Sequence, residues 1–239
     1  MDEPAARKHR SAGLFISRGS AAPCPYLPGR RAVYEYAIPG ALAPEKYQRL
    51  MDAGFRRSGD VVYRPVCEGC RECVPIRVAV QEFEPSRSQR RVRRRNVDVE
   101  MRIGPPVLTD EKHALFARYL REQHDGSMSD RREDLEEFLY RSGTETLEMT
   151  YHVGSRLVAV GIVDVCPISL SSVYFYFEPA ESRRSLGILG GLFEIDECRR
   201  RGLPYWYLGY YIRDCRRMNY KACFRPHELL DPSGGWVRA

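Results

Sequence analysis

The chain has 239 residues, of which 43% are hydrophobic, the proportion found in ordinary globular proteins. It contains no run of about 18 apolar residues, as a membrane-spanning helix requires, and no apolar core of a secretion signal near Met1. Residues 1–105 hold 20 Lys/Arg against 12 Asp/Glu, whereas the remainder holds 18 against 20. We therefore expect a cytoplasmic protein without a membrane partner, whose basic first half meets a polyanion.

The sequence predicts three units. They are a flexible polar lead-in over residues 1–22, a smaller basic subdomain with cysteines over residues 23–103, and a larger domain over residues 104–239. In the subdomain, residues 44–54 predict a helix because Pro44 suits a first helical position and Gly54 can end it. Residues 75–83 predict a strand, because apolar residues alternate there. Gly104 and two prolines mark the boundary.

The larger domain begins with helices and continues with strands. Helices are predicted over residues 109–124, 129–141 and 185–201, and strands over residues 147–153, 157–165, 173–177 and 204–212. A strand, a helix and a following strand usually form a right-handed parallel unit, and here a hairpin precedes that unit. We therefore predict an α/β fold with a GNAT-like mixed sheet flanked by helices.

The segment Arg87–Arg95 is the most basic part of the chain, with six arginines in nine residues and no acid. Arginine binds phosphate in a planar, bidentate manner, and phosphate contacts hold an RNA backbone whatever its sequence. The alternative is a solvated charged face. The predicted RNA-binding residues are Arg87, Arg90, Arg91, Arg93, Arg94 and Arg95.

Four of the eight cysteines have a spacing of interest. Cys67, Cys70 and Cys73 are each separated by two residues, and Cys24 lies upstream. Four thiols could form a tetrahedral zinc or iron–sulfur site. The alternative is free structural or redox-sensitive thiols, since a chain of this size without a secretion signal does not need a disulfide framework.

Two aromatic strands carry tyrosines in alternation, and their hydroxyls need polar partners. Tyr174, Tyr176, Tyr207 and Tyr210 are the predicted residues of a donor pocket, with ordinary strand packing as the alternative. Between these strands, the glycines of Ser185–Gly191 permit either close packing of a helix or anion binding at its start. A Gly-x-Ser-x-Gly motif is absent, so the sequence does not favour a hydrolase.

Several long strings resemble the bacterial branch of the arginyl-tRNA–protein transferase family. They are CPYLPGR, YRPVCEGCRECVPIRV, FEPSRSQRRVRRRN, SLGILGGLFEI and YWYLGYYIRDCRRMNYKACFRP, and the resemblance runs from about Cys24 to Pro226. It implies an aminoacyltransferase that moves leucine from charged tRNA to the N-terminal Asp or Glu of a protein, marking it for N-degron degradation. The open alternatives are arginyl transfer, an acetyl-CoA-dependent acyltransferase, and an RNA-binding module with a structural metal.

The implied chemistry is aminolysis of the ester that joins the amino acid to tRNA. It requires no cofactor, because the ester is already activated. A strong general base is optional, because an α-amine with a pKa of about 7.7–8.0 is partly neutral near pH 7. Positioning and oxyanion stabilisation would supply most of the rate. Arg64 and Arg77 are predicted to bind the acidic acceptor side chain, with a structural ion pair as the alternative for each. The sequence predicts no catalytic base.

Overall fold

The computed structural model describes residues 9–11, 14–123 and 128–239. The strands are, in chain order, β1 (His9–Ser11), β2 (Leu14–Arg18), β3 (Ala22–Pro23), β4 (Arg31–Ala32), β5 (Tyr34–Ala37), β6 (Arg56–Ser58), β7 (Val61–Pro65), β8 (Val74–Ala79), β9 (Val99–Gly104), β10 (Thr146–Val153), β11 (Arg156–Cys166), β12 (Ser169–Phe177), β13 (Tyr205–Tyr211), β14 (His227–Leu230) and β15 (Trp236–Arg238).

The α-helices are α1 (Pro44–Asp52), α2 (Arg87–Arg95), α3 (Asp110–Gln123), α4 (Arg132–Leu135), α5 (Leu186–Arg201) and α6 (Arg216–Asn219). Helix α4 continues in a wider turn over Glu136–Tyr140. Short 3₁₀ segments occupy Val80–Glu82, Pro179–Arg184 and Tyr220–Cys223. Within the described ranges, no helix has the length and apolar character that crossing a membrane demands.

Eight strands form one large sheet in the order β15-β14-β8-β13-β12-β11-β10-β9. Every neighbouring pair is antiparallel except β12 and β13, which are parallel and joined through α5. Helices α5 and α2 share a hydrophobic core with one face of this sheet. Helices α3 and α4 pack on the other face, and so does α1. The predicted mixed sheet flanked by helices is confirmed.

The smaller part of the fold is an antiparallel sheet in the order β1-β2-β5-β7-β6. The cysteine-rich loop follows β7 directly. Within the predicted lead-in, residues 1–8, 12 and 13 lie outside the described residues, while β1 and β2 pair with each other. Two strands that precede the predicted boundary at residue 104 belong to the large sheet: β8 lies between β13 and β14, and β9 forms an edge.

Most predicted elements are present with small shifts at their ends. Thr109 caps α3, since its Oγ1 accepts a hydrogen bond from the backbone N–H of Lys112 at 3.3 Å. Residue 124, the predicted end of that helix, lies outside the described residues. The strand predicted over residues 75–83 is wrong beyond Ala79, because Val80 donates its N–H to the Pro204 carbonyl at 2.8 Å and the chain turns away.

Candidate active site

The parallel strands β12 and β13 separate soon after they meet. They pair only from Ser169–Tyr205 to Ser171–Tyr207. Immediately beyond, the register of β12 against β11 shifts, and so does that of β13 against β8. The second irregularity contains Gly209 at φ 82°, a conformation that glycine adopts without strain. The two bulges release the strands from each other and open the sheet at its centre.

A cavity of about 370 Å³ lies at this opening, beside the first turns of α5. Its volume is in the range of small-molecule sites. Its apolar wall includes Phe175, Phe177, Leu186, Ile188, Trp206 and Leu208. Ser172 and Glu194 are polar groups of the same wall. The cavity therefore suits an apolar group that carries a reacting polar end.

Glycines let α5 approach the sheet closely enough to close this cavity. A Cβ on Gly191 would stand 2.6 Å from the Phe224 ring and 2.7 Å from the Trp206 ring. A Cβ on Gly190 would stand 2.3 Å from the Phe175 ring. These are not acceptable distances for carbon atoms, so the glycines serve tight helix–sheet packing, one of the two readings of the sequence.

Glu194 is the acid of the cavity and is only 1% exposed. Its Oε2 accepts a hydrogen bond from the indole N–H of Trp206 at 2.7 Å, and its Oε1 accepts one from Ser172 Oγ at 3.4 Å. Burial raises the pKa of Glu194 to about 7, although these hydrogen bonds and the charge of Arg56 oppose the rise. Among the described residues, no cation forms an ion pair with it.

Arg56 reaches the same opening from the smaller sheet and is 8% exposed. Its Nη1 donates to Ser171 Oγ at 2.8 Å, and its Nη2 donates to the Ser172 carbonyl. A Cβ on Gly209 would lie 3.1 Å from Arg56 Nε, so the glycine leaves room for the guanidinium. No carboxylate of the described part of the chain pairs with Arg56. The opening thus holds a buried cation and a buried acid on either side of Ser172.

The predicted RNA-binding arginines lie on α2, whose two ends contact neighbours of the cavity-lining residues. Ser86 and Gln89 form a capping box at its start. Gln89 Nε2 also donates to the Cys223 carbonyl at 3.2 Å, next to Phe224 of the cavity wall. At the other end, Asn96 Nδ2 donates to the Arg184 carbonyl at 2.9 Å, next to Ser185 of the cavity rim.

Five of these six arginines are exposed, while Arg93 is half-buried and pairs with Asp196 at 2.7 Å. The exposed members are Arg87, Arg90, Arg91, Arg94 and Arg95. Their helix buries Gln89 and Val92 against the protein, so its basic side faces outward. The cationic surface and the cavity therefore lie on the same side of the molecule.

A second set of exposed arginines, missed in the sequence, surrounds the segment that contributes Tyr220 and Phe224 to the cavity. Its members are Arg213, Arg216, Arg217 and Arg225. No ion pair involves them within the described ranges, although Arg217 donates to the Pro25 carbonyl. The charge balance of the sequence does not reveal them, because the half of the chain that contains them has a net negative charge. Their wide spacing also hides the cluster.

Glu194 was missed as well, although its position carries a signal. It falls three residues after Gly191 and four before Cys198, so it lies on the buried face of α5 among glycines and apolar residues. An acid on such a face needs an explanation. That a cavity adjoins this face could not be inferred from the sequence, because the cavity arises from the separation of β12 and β13.

The four predicted donor-pocket tyrosines are not brought together. Tyr174 and Tyr176 face α3 and α4, and Tyr176 shares a hydrogen bond of 2.8 Å with Tyr140. Tyr207 donates to Asp52 at 2.5 Å, and Tyr210 donates to the Gly54 carbonyl at 2.8 Å. The cavity is lined instead by residues next to these tyrosines, which point to the other face of β12 and β13. The donor-pocket role of the tyrosines stays a prediction.

Arg64 and Arg77 each have a carboxylate partner, as expected if their role is that of a structural ion pair. Arg77 donates to Glu228 at 2.6 Å and is stacked 3.8 Å from the Tyr205 ring centre and 4.3 Å from that of Trp236. Arg64 donates to Glu35 at 2.9 Å. Neither arginine lines the cavity.

The four cysteines of the predicted metal site are free and partly buried. Backbone N–H groups point at two of the sulfurs, from Leu27 to Cys24 and from Val33 to Cys67, each at 3.4 Å. Burial, followed by the nearby thiols of Cys24, Cys67 and Cys70, raises the pKa of Cys73 to about 12. Over the described residues, however, no group of three or more Cys, His, Asp or Glu side chains has an arrangement that could hold a metal ion. The metal site stays a prediction.

Comparison with known proteins identifies the family. Residues 22–91 match the family profile "Arginine-tRNA-protein transferase, N terminus", and residues 111–231 match "Arginine-tRNA-protein transferase, C terminus". The aspartate/glutamate leucyltransferase of Marinobacter nauticus is 42% identical over 216 residues, covering 89% of this chain and 91% of that protein. The protein of the same name from Rhodopseudomonas palustris is 43% identical over 230 residues, covering 90% and 88%.

Among solved structures, the ribosomal-protein-S18-alanine N-acetyltransferase from Escherichia coli is similar with a TM-score of 0.31 and 21% identity, covering 44% of this chain and 63% of that one. The sequence relatives decide the assignment, because both the profiles and the relatives span most of the chain. The chain therefore belongs to the arginine-tRNA–protein transferase family and is an aminoacyltransferase.

Proposed function

We propose that the protein transfers leucine from Leu-tRNA to the N-terminal Asp or Glu of other proteins. The names of its relatives support this donor and these acceptors. We further propose that the reaction takes place in the cytoplasm and that the new N-terminal leucine marks the acceptor for N-degron degradation. The observation that carries the proposal is an apolar cavity with a buried acid, bordered by two arginine-rich surfaces.

The two arginine surfaces suit the acceptor arm of a tRNA. Exposed arginines without ion pairs gain most from phosphate contacts, because they lose no existing partner. The segment of Arg213–Arg225 contributes Tyr220 and Phe224 to the cavity wall, and α2 contacts Cys223 beside Phe224, so a backbone held on both would end near the cavity. The terminal leucyl ester would then place its side chain against Phe175, Trp206 and Leu208.

The acidic acceptor side chain requires a cation. We retain Arg64 and Arg77 for this role, with the condition that an incoming carboxylate replaces Glu35 or Glu228. Arg56 is a third candidate, since it lies at the opening of the strands without a carboxylate partner in the described part of the chain. The chemistry itself needs no cofactor, because the ester is already activated.

A transfer assay tests the proposal. Purified protein is mixed with labelled Leu-tRNA and with peptides that differ only in an N-terminal Asp, Glu or Ala. We expect label on the Asp and Glu peptides and none on the Ala peptide. Label on all three, or on none, contradicts the proposal.

The same assay separates the alternatives. Transfer from Arg-tRNA in place of Leu-tRNA would establish arginyl transfer. Transfer from labelled acetyl-CoA would establish an acetyltransferase. Binding of uncharged tRNA with no transfer from any donor would leave an RNA-binding module.

A further inference from the structure

We propose that Glu194 is a catalytic residue of this transfer, whose carboxylate accepts a proton from the acceptor's α-amine as the amine attacks the leucyl ester. The inference rests on the proposed function. It adds a chemical role for a side chain that the sequence did not single out.

The position of Glu194 meets the first requirement of a general base, which is access to the substrate. The carboxyl lies on the wall of the cavity, between the diverging strands and α5. The indole of Trp206 holds Oε2 at 2.7 Å, so the carboxyl has a fixed orientation. The contact from Ser172 to Oε1 is longer, at 3.4 Å. An ionised carboxylate can accept about four hydrogen bonds, so Oε1 retains capacity for a substrate N–H.

The partners of Glu194 meet the second requirement, which is a carboxylate free to change its protonation. Trp206 and Ser172 are neutral, so no ion pair locks the carboxyl in its charged form. This distinguishes it from Glu197 on the same helix, which pairs with Arg200 and Arg201 at 2.5 and 2.6 Å. Burial brings the pKa of Glu194 to about 7, close to that of an α-amine.

Other ionisable groups face Glu194 from the surrounding elements. Within the described residues they are Arg56 from β6, Tyr151 from β10, Cys198 from α5 itself, and Tyr220. Arg56 is the one cation in this set, and it lowers the pKa of Glu194 from behind Ser172. The phenols and the thiol are neutral near pH 7. Glu194 is therefore the group of this set that changes charge near pH 7.

The proposed step balances in atoms and electrons. The amine nitrogen donates its lone pair to the ester carbonyl carbon, and the carbonyl π electrons move to the oxygen. Glu194 takes one proton from that nitrogen. When the tetrahedral intermediate collapses, the bond to the ribose oxygen breaks and that oxygen keeps the electron pair. Glu194 returns the proton to it, so the products are an amide, a free tRNA hydroxyl and the original carboxylate.

The test compares wild type with Glu194→Gln, which keeps an oxygen acceptor for Trp206 but cannot take a proton. We expect kcat/KM for leucyl transfer to fall about 10²-fold, with unchanged binding of Leu-tRNA. Below about pH 7, log kcat/KM of wild type should rise with a slope of two, since both Glu194 and the acceptor amine must lose a proton. In the variant the slope should be one, from the amine alone.

Two further variants keep the test decisive. Glu194→Asp retains an ionisable group and should retain the slope of two at a lower rate. Glu197→Gln changes an acid on the same helix that does not line the cavity, and its slope should also remain two. A slope of two in Glu194→Gln, or a slope of one in wild type, overturns the inference while leaving leucyl transfer in place. A wild-type protein that transfers no leucine at any pH overturns the function on which the inference rests.

Discussion

At the scale of single residues, Glu194 stands out because its burial costs stability. A carboxyl whose pKa is higher in the folded than in the unfolded protein holds its proton more tightly when folded. Its contribution to stability is therefore full below the unfolded value of about 4.5 and is lost as the pH rises through the folded value of about 7. The folded protein then contains a buried charge with no cationic partner among the described residues.

This predicts that Glu194→Gln removes a pH dependence of stability. The difference in free energy of unfolding, variant minus wild type, should increase by about 2–3 kcal/mol from pH 5 to pH 8. Urea unfolding of both proteins at these two pH values measures the change. Parallel pH dependences in the two proteins would show that Glu194 has an ordinary pKa.

Gly191 is a second residue whose identity matters, because any side chain there would collide with neighbouring rings. We predict that Gly191→Ala lowers the free energy of unfolding by about 1–3 kcal/mol, because its Cβ would overlap the rings of Phe224 and Trp206. Gly187 is the matched control on the same helix, since a Cβ there meets no atom within 4 Å. Gly187→Ala should be neutral or stabilising. Equal losses in both variants, measured by thermal unfolding, would contradict this account of the glycines.

At the scale of secondary-structure elements, the structure shows how α2 is oriented, which its charge alone does not. The sequence showed six arginines, but not which of them face outward. The structure adds the buried Gln89 and Val92, which fix the rotation of the helix, and the contact of Arg93 with Asp196. Arg91 and Arg94 remain exposed and are free to bind a phosphate backbone.

We therefore predict that the variant Arg91→Ala/Arg94→Ala weakens tRNA binding and flattens its salt dependence. The slope of log K against log salt concentration should become smaller by about 1–2, as expected for two lost phosphate contacts. The variant Arg131→Ala/Arg141→Ala removes the same charge from the ends of the α4 region, on the opposite face of the large sheet. If both variants have the same slope, α2 provides no specific surface for tRNA.

The loop between β7 and β8 is the element for which the metal prediction can be decided. If Cys24, Cys67, Cys70 and Cys73 bind a metal, protein purified without oxygen should contain about one zinc ion or one iron–sulfur cluster per chain. The variant Cys70→Ser should lose that metal, whereas Cys223→Ser, at an exposed cysteine elsewhere, should keep it. Four thiols that titrate freely in a metal-free native protein would settle the question in favour of the alternative.

At the scale of the whole molecule, the sequence predicted local features better than long-range ones. Pro44 and Gly54 marked the two ends of α1 correctly, because helix start and stop signals depend on neighbouring residues. The cavity could not be predicted, because it depends on two bulges in strands that are about 30 residues apart. The aromatic strands were recognised, but the bulge in β12 places Phe175 and Phe177 on the cavity side and turns Tyr174 and Tyr176 towards α3. Likewise, Arg56 reaches Ser171 and Ser172 of β12 only because the smaller sheet packs against the larger one.

The position of β8 decides whether the larger predicted domain is a folding unit. This strand precedes the predicted boundary, yet it pairs with β13 on one side and β14 on the other. Its side chains Ile76 and Val78 are fully buried in the main core. Without β8, both neighbours would have an unpaired edge, and the apolar surface beneath would be exposed to water.

We therefore predict that a fragment of residues 104–239 does not fold, although it contains the whole segment first assigned to the transferase domain. A fragment of residues 74–239 regains β8, α2 and β9 and should recover a cooperative unfolding transition. Circular dichroism with urea unfolding distinguishes the two fragments. A cooperative transition in residues 104–239 alone would show that the large sheet closes without β8. Failure of both fragments would show that the smaller sheet is also required. The hydrogen bond from Arg56 to Ser171, at 2.8 Å, is one contact through which the smaller sheet would then stabilise the large one.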